Sequence, residues 1–207
     1  MFSDKSCVNA TLISGTKETC SFFIFEAAIH WAEEGHRVIY IAPKALQSPP
    51  LTHHDRSNPS TEAFKLMRFM YLPNYETLVE QLVDLHSFAS LPNVLLVDDL
   101  DNYIEDPGVK DKREVHIARL CAILLDTMNA CAVILKQNVH ICVSISSECE
   151  KIYQLYFDKL WKIEEEDDGN IVKVKQVAAC NAANKTYEYR KYGSENIILK
   201  QILYSQN

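Results

Sequence analysis

The sequence predicts an α/β domain: a mostly parallel sheet flanked by helices, extended at one edge by antiparallel C-terminal hairpin strands. Three observations carry this expectation. Asn93-Val94-Leu95-Leu96-Val97 is a short apolar run that follows Leu91-Pro92 and ends on Asp98-Asp99, the pattern of a strand buried on both faces. Residues 10 to 42 read as strand, loop, amphipathic helix and strand, the opening of a βαβ unit whose crossover should be right-handed. Beyond residue 157 the pattern changes to short strands around an Asp168-Gly169 turn.

Taken in order, Ala10 to Ser14 is the first buried strand, and Gly15 to Cys20 leads into a helix from Ser21 to about Glu34. On that helix Phe22, Phe25, Ile29 and Ala32 share a face, and Gly35 stops it. Arg37 to Ala42 is a second strand, ended by Pro43. Lys44 to Ser60 is a polar loop with Pro49, Pro50 and Pro59, longer than most connections inside a domain. Its His53-His54 pair lacks the second pair or acid cluster a metal site needs. Thr61 can cap a helix to about Phe69, Met70 to Leu72 forms a brief strand, and Asn74 caps a helix carrying Leu78, Leu82 and Leu85 at helical spacing. After the acid-tipped strand come a polar loop from Asp101 to Val109, a helix from Asp111 to Asn129, and a buried strand from Val139 to Ser146. Strands then follow over 157–164, 171–177, 186–192 and 196–204, the acid run 164–168 being read as a solvated turn.

The 207 residues suit one α/β domain spanning the chain. With 47% apolar residues it should fold, and a net charge of −7 argues against a protein that coats duplex DNA, so any nucleic-acid contact must come from a local patch. Seven cysteines with no C-x-x-C pair indicate neither zinc nor a disulfide framework, but reduced thiols in a cytosolic or nuclear protein. Met1 to Val8 lacks a signal peptide's apolar core, and no run approaches transmembrane length, so no membrane partner is expected.

The chemistry converges on the carboxyl ends of the strands, where ligands bind in open α/β sheets. Adjacent acids at a core strand's tip repel unless a cation or donors compensate them. Asp98 and Asp99 therefore have the layout of a Walker B strand, whose acid holds Mg²⁺ in P-loop NTPases. The alternative is that one acid caps the next turn and the other faces solvent. The loop after the first strand should then be G-x-x-x-x-G-K-[ST], with backbone N–H groups cradling phosphates. Gly15 is present, but no second glycine precedes the helix, Cys20-Ser21 stands where Gly-Lys-Ser/Thr belongs, and the loop is about one residue short. Lys17 falls early, although it could swing toward a phosphate, and Thr19 or Ser21 could offer a hydroxyl. Losing the glycine and the lysine should cost several kcal/mol of phosphate binding, roughly on the scale of preorganised electrostatics. Gly15, Lys17, Thr19, Ser21, Asp98 and Asp99 are thus a vestigial nucleotide site, with ATP and Mg²⁺ held weakly or not at all. No catalytic acid is legible, since the second strand ends at Ala42-Pro43; Ser144 and Ser146 are stand-ins for a polar sensor or simply caps.

The element order matches a RecA-like P-loop NTPase core. With Ile13-Ser14-Gly15-Thr16 leading to Phe22-Phe23-Ile24-Phe25-Glu26-Ala27-Ala28, and with Val94 to Leu100, the chain resembles the small divergent paralogues of the RecA-like strand-exchange recombinase. Among them it is similar to the SWIM-domain-associated paralogues of the Shu complex, over roughly residues 8 to 147. Members of that family can carry an intact Walker A loop, which this chain lacks. The resemblance implies a nuclear heterodimer with a SWIM-type zinc-finger protein, which binds single-stranded DNA and promotes assembly or stability of recombinase filaments in homologous recombination. A weak DNA-stimulated ATPase with a degenerate P-loop is the alternative, and an unrelated α/β enzyme is a third reading. No Ser-His-Asp or Cys-His arrangement supports the third, nor does the spacing of His116 and His140. Two basic clusters are candidate DNA contacts: Lys110, Lys112 and Arg113, and Lys185, Arg190 and Lys191 interleaved with Tyr187, Tyr189 and Tyr192. Strand alternation offers a plainer reading of the second, tyrosines inward and cations to water. Phe25-x-x-Ala28 belongs to the helix core.

Overall fold

A computed structural model of the chain describes residues 7–46, 52–53, 59–109, 112–147, 151–177, 184–192 and 196–205. β1 (Val8–Ser14), β2 (Val38–Ala42), β4 (Met67–Tyr71), β5 (Val94–Val97), β6 (Val139–Ile145) and β7 (Lys159–Glu166) run parallel. With β3 (Thr52–His53), β8 (Ile171–Val177), β9 (Asn184–Tyr192) and β10 (Asn196–Ser205) they form one sheet in the order β3-β10-β9-β8-β7-β1-β6-β5-β2-β4. β7 to β10 are joined antiparallel, as the tail predicts. β2 and β5 are buried at every position, which is why neither alternates in sequence.

Helix α1 (Lys17–Glu33) covers one face with α2 (Thr61–Leu66), seating Ile24, Phe25, Ala28 and Ile29 on Tyr40, Val94 and Leu96. The other face carries α3 (Tyr75–Asp84), α4 (Asp101–Ile104) and α5 (Arg113–Leu135), where Leu78, Leu82, Leu120 and Leu124 meet Leu12, Ile41, Leu95 and Ile141. A sheet clothed by helices on both faces is the expected architecture.

Several boundaries differ from expectation. α1 begins at Lys17, four positions before Ser21, because Thr16 already has extended backbone and its carbonyl accepts the first helical bond from the Cys20 N–H. Ser60, not Thr61, caps α2, its Oγ accepting from the Ala63 N–H at 3.1 Å, and Met67-Arg68-Phe69 pass from helix into β4. Asn74 caps α3 as expected, accepting from the Thr77 N–H at 2.9 Å. Residues 101–104 are helical within the expected loop. α5 runs six residues past Asn129 until Lys136 turns left-handed at φ 55°. By length and composition this helix could cross a membrane, contrary to expectation. Here His116, Ile117, Leu120, Leu124 and Met128 are buried on the sheet side of the fold, while Arg119 and Asp126 face out.

Candidate functional site

The candidate site lies at the carboxyl ends of β1, β5 and β6, where Ser14 pairs with Ile145 and Val97 with Val143. Between β1 and α1 only Gly15 and Thr16 intervene. The connection is therefore shorter than the sequence suggests, and the G-x-x-x-x-G span that would wrap a phosphate is replaced by two residues. Lys17 opens the helix, the place where a P-loop puts its lysine, so it is not early in the loop. Cys20 and Ser21 lie inside α1. Cys20 is buried, its S–H donates to the Ile145 carbonyl at 3.7 Å, and burial pushes its thiol up to about 12, so it is an unreactive packing residue.

The acids are compensated from within the chain. Asp98, 5% exposed, accepts from the Tyr40 hydroxyl at 2.8 Å and from Ser144 Oγ at 2.7 Å. Burial, then the Asp98 charge, pushes the Tyr40 hydroxyl far above the ordinary tyrosine range, so it remains a donor. The Asp99 N–H donates to Ser144 Oγ at 2.9 Å, so one hydroxyl links both acids. Asp99 has φ 58°, a left-handed conformation that aspartate tolerates better than most residues, and its carboxylate receives Lys17 Nζ at 2.5 Å. That bond, against partial desolvation, raises the Lys17 pKa. Asp101, also buried, accepts the N–H groups of Ser146 and Ser147 at 2.6 and 2.8 Å and both their hydroxyls. Ser144 and Ser146 are thus partners of acids, not free sensors.

The anion seat at the head of α1 is filled by Glu165. β7 runs alongside β1 and continues past its end, Ser14 pairing with Lys162, which brings Ile163 against Gly15 and Glu165 to the helix terminus. Thr16 Oγ1 donates to Glu165 Oε1 at 2.7 Å, Thr19 donates to the same oxygen, and Lys191 Nζ stands 3.8 Å away. A helix N-terminus favours negative charge, and a phosphate would use the same attraction. Burial alone would raise the Glu165 pKa, but the Thr19 and Thr16 hydrogen bonds and the Lys191 charge outweigh it and hold the carboxyl below the usual range. With the folded pKa depressed, this carboxylate stabilises the protein fully above the ordinary glutamate value, near ~4.3, and the contribution is lost as pH falls through the folded pKa. Glu165→Gln is expected to cost about 1 kcal/mol at pH 7, modest because the side chain keeps water contact. The gap between wild type and variant in urea titrations should close below about pH 4.

Gly15, Lys17, Thr19, Asp98 and Asp99 therefore come together at one end of the sheet, whereas Ser21, in the second turn of α1, forms no hydrogen bond to either acid among the described residues. Tyr40, Asp101 and Glu165 are the site residues that the sequence reading missed. One signal was legible for Glu165: in a strand of period two it shares a face with Trp161 and Ile163, an inward register for a charge. Its neighbours Glu164 and Glu166 instead join lysines of β8 across the hairpin, Glu164 with Lys175 and Glu166 with Lys173, and Glu164 also meets Lys162 on its own strand.

The basic clusters do not form two patches. Lys110 lies outside the described residues, as do His54, Cys149 and Cys180. Lys112 is exposed at the start of α5, and Arg113 is 3.7 Å from Asp101 Oδ1 and 3.2 Å from Glu105 Oε1. Along β9, alternation places Lys185, Tyr187, Tyr189 and Lys191 on the α1 side and Arg190 on the other. Tyr189 meets Phe23 edge to face at 5.2 Å, and Tyr187 meets Trp161 at 5.7 Å. Lys191 is drawn toward Glu165. Among the described residues no group of three or more His, Cys, Asp or Glu is set to hold a metal ion.

No protein-family profile and no curated protein matches the chain. Solved structures do. The RadB recombinase superposes with a TM-score of 0.66 at 12% identity, over 92% of this chain and 90% of its own. The flagellar accessory protein FlaH from Methanocaldococcus jannaschii gives 0.62 at 12%, over 96% and 94%. A DnaB-like replicative helicase gives 0.62 at 11% over 92% of this chain, which spans only 58% of the helicase. At these identities the likeness establishes the fold alone, which is RecA-like.

Proposed function

We propose that this chain is a non-hydrolysing, recombinase-like subunit, a nuclear scaffold that pairs with a SWIM-type zinc-finger protein, binds single-stranded DNA and promotes assembly or stability of strand-exchange recombinase filaments. One observation carries the loss of nucleotide chemistry. Glu165 sits on the two threonines at the head of α1, where a phosphate would need to lie, while Lys17 is spent on Asp99 and both Asp98 oxygens are spent on Tyr40 and Ser144. A triphosphate brought to this place would meet a carboxylate and a two-residue loop. These residues do not fit Mg²⁺-ATP.

The recombination role is supported by the shared fold with the RadB recombinase and by the sequence resemblance; the partner and the DNA rest on the resemblance alone. The test is reconstitution. The chain and the SWIM-domain protein should co-elute as one species that retards a single-stranded oligonucleotide, with no ATP added. Failure of the two chains to associate, or DNA binding that requires ATP hydrolysis, would overturn the reading.

A further inference from the structure

On the α1 side of the sheet the helix packs along β2, β5 and β6, while among the described residues only its first turns reach toward β9, through Phe22 and Phe23. A groove of about 330 Å³ opens there, walled by Trp31, Trp161, Tyr187 and Phe23. Its lining includes Asn9 and Thr11, in the first half of β1, with His140 beside Asn9 on β6. Asn9 and Thr11 are half-buried and make no side-chain hydrogen bond among the described residues. A central strand ordinarily puts apolar residues at such positions. Aromatic walls with a few unspent polar groups describe a recognition site better than an incomplete core.

Charge narrows the occupant. Lys159 pairs in register with Thr11 and lies close enough to His140 to depress its pKa, after burial and His36; Lys185 precedes Tyr187 on the same strand face. Both lysines are exposed, and neither forms an ion pair among the described residues. Among the described residues these two lysines give the groove a positive rim, in a chain of net charge −7.

We propose that the groove is the seat for the protein partner, and that it takes a polypeptide segment with an aromatic anchor, tyrosine or tryptophan, flanked by acidic residues. The ring packs between Trp31 and Trp161, its polar tip meets Asn9 or Thr11, and the acids face Lys159 and Lys185. Tyrosine and tryptophan suit such a place because one end of each ring is apolar and the other carries a donor. This rests on the heterodimer of the preceding section, and the SWIM-domain protein serves as the probe.

Trp31 and Trp161 are the chain's only tryptophans and both line the groove, so the site reports on itself. With fluorotryptophan incorporated in this chain alone, adding the intact SWIM-domain protein should shift the fluorine NMR resonances of both positions until the site is saturated. Trp31→Ala should weaken binding about 30-fold, the scale of an aromatic hot spot. The surface pair Lys159→Glu and Lys185→Glu, which touches no core contact, should weaken it about tenfold at low salt and flatten its salt dependence. Thermal unfolding of each variant guards against loss of fold. If wild-type protein does not bind the partner, the preceding reading fails. If it binds and the variants bind equally well, only the groove assignment fails. Resonance shifts caused by a single-stranded oligonucleotide that the same variants abolish, or a homodimer that they dissociate, would assign the groove to another occupant and overturn the proposal.

Discussion

Replacing Asp98 by alanine is expected to destabilise the protein by about 3 kcal/mol, because it strands two buried hydroxyl donors at once. Tyr40 is fully buried and has Asp98 as its hydrogen-bond partner, and Ser144 loses the acceptor that fixes its bond from the Asp99 N–H. The effect should therefore reach Asp99 and Lys17, and the double variant Asp98→Ala, Ser144→Ala should cost less than the sum of the single changes. Urea denaturation measures each. A carboxylate kept chiefly to hold Mg²⁺ would behave differently, its removal leaving stability near wild type while abolishing nucleotide binding. The two accounts of one acid thus predict opposite observables.

Gly15→Ala should cost about 2 kcal/mol, within the range for forcing extra volume into a packed site. A Cβ at this position would lie 2.8 Å from Ile163 Cβ and 3.1 Å from the Ile163 carbonyl oxygen. Neither atom is the end of a flexible side chain. Nor can the loop retreat freely, because the Gly15 N–H is bonded to the Ile145 carbonyl at 3.2 Å on the opposite side. The glycine is needed by β7, not by a phosphate. Removing the nearer obstacle tests this: Ile163→Gly, which deletes the Cβ and leaves the carbonyl contact, should cost stability by itself, but adding Gly15→Ala to it should cost less than in the wild-type background. Equal costs in both backgrounds would show that the close approach of β7 is not what requires the glycine.

The elements legible in the sequence were those whose burial leaves a continuous or periodic apolar trace. β2 and β5 are such runs, and α3 announces itself through Asn74 and its leucines. The antiparallel tail followed from the Asp168-Gly169 turn, where Asp167, Asp168 and Gly169 all take positive φ. The start of α1 was not legible, because Lys17, Glu18 and Thr19 are polar residues equally suited to a loop or to a helix's first turn. That one ambiguity misplaced Lys17 and made a two-residue connection look like a nearly full-length loop. The acid pair was recognisable at the tip of a buried strand, and the structure supplies the compensation that such a pair requires. The compensators came from β2, β6 and α1, however, and a long-range hydroxyl such as Tyr40 leaves no local signature. Glu165 was hidden for a different reason. It stands in a run of five acids, and only the sheet register separates the one turned to the α1 terminus from those paired with lysines across the hairpin.

The most direct measurement of the central claim is equilibrium binding of Mg²⁺-ATP to the purified full chain, followed by calorimetry and by thermal unfolding. A ligand at a hundred times its Kd stabilises a folded protein by about 2.7 kcal/mol, which a melting curve would reveal. With the head of α1 held by Glu165, the account predicts no saturable heat and no rise in Tm at millimolar ATP. Saturable binding that raises Tm and disappears in Asp98→Asn would contradict it, and would show that the carboxylate yields its place to a phosphate.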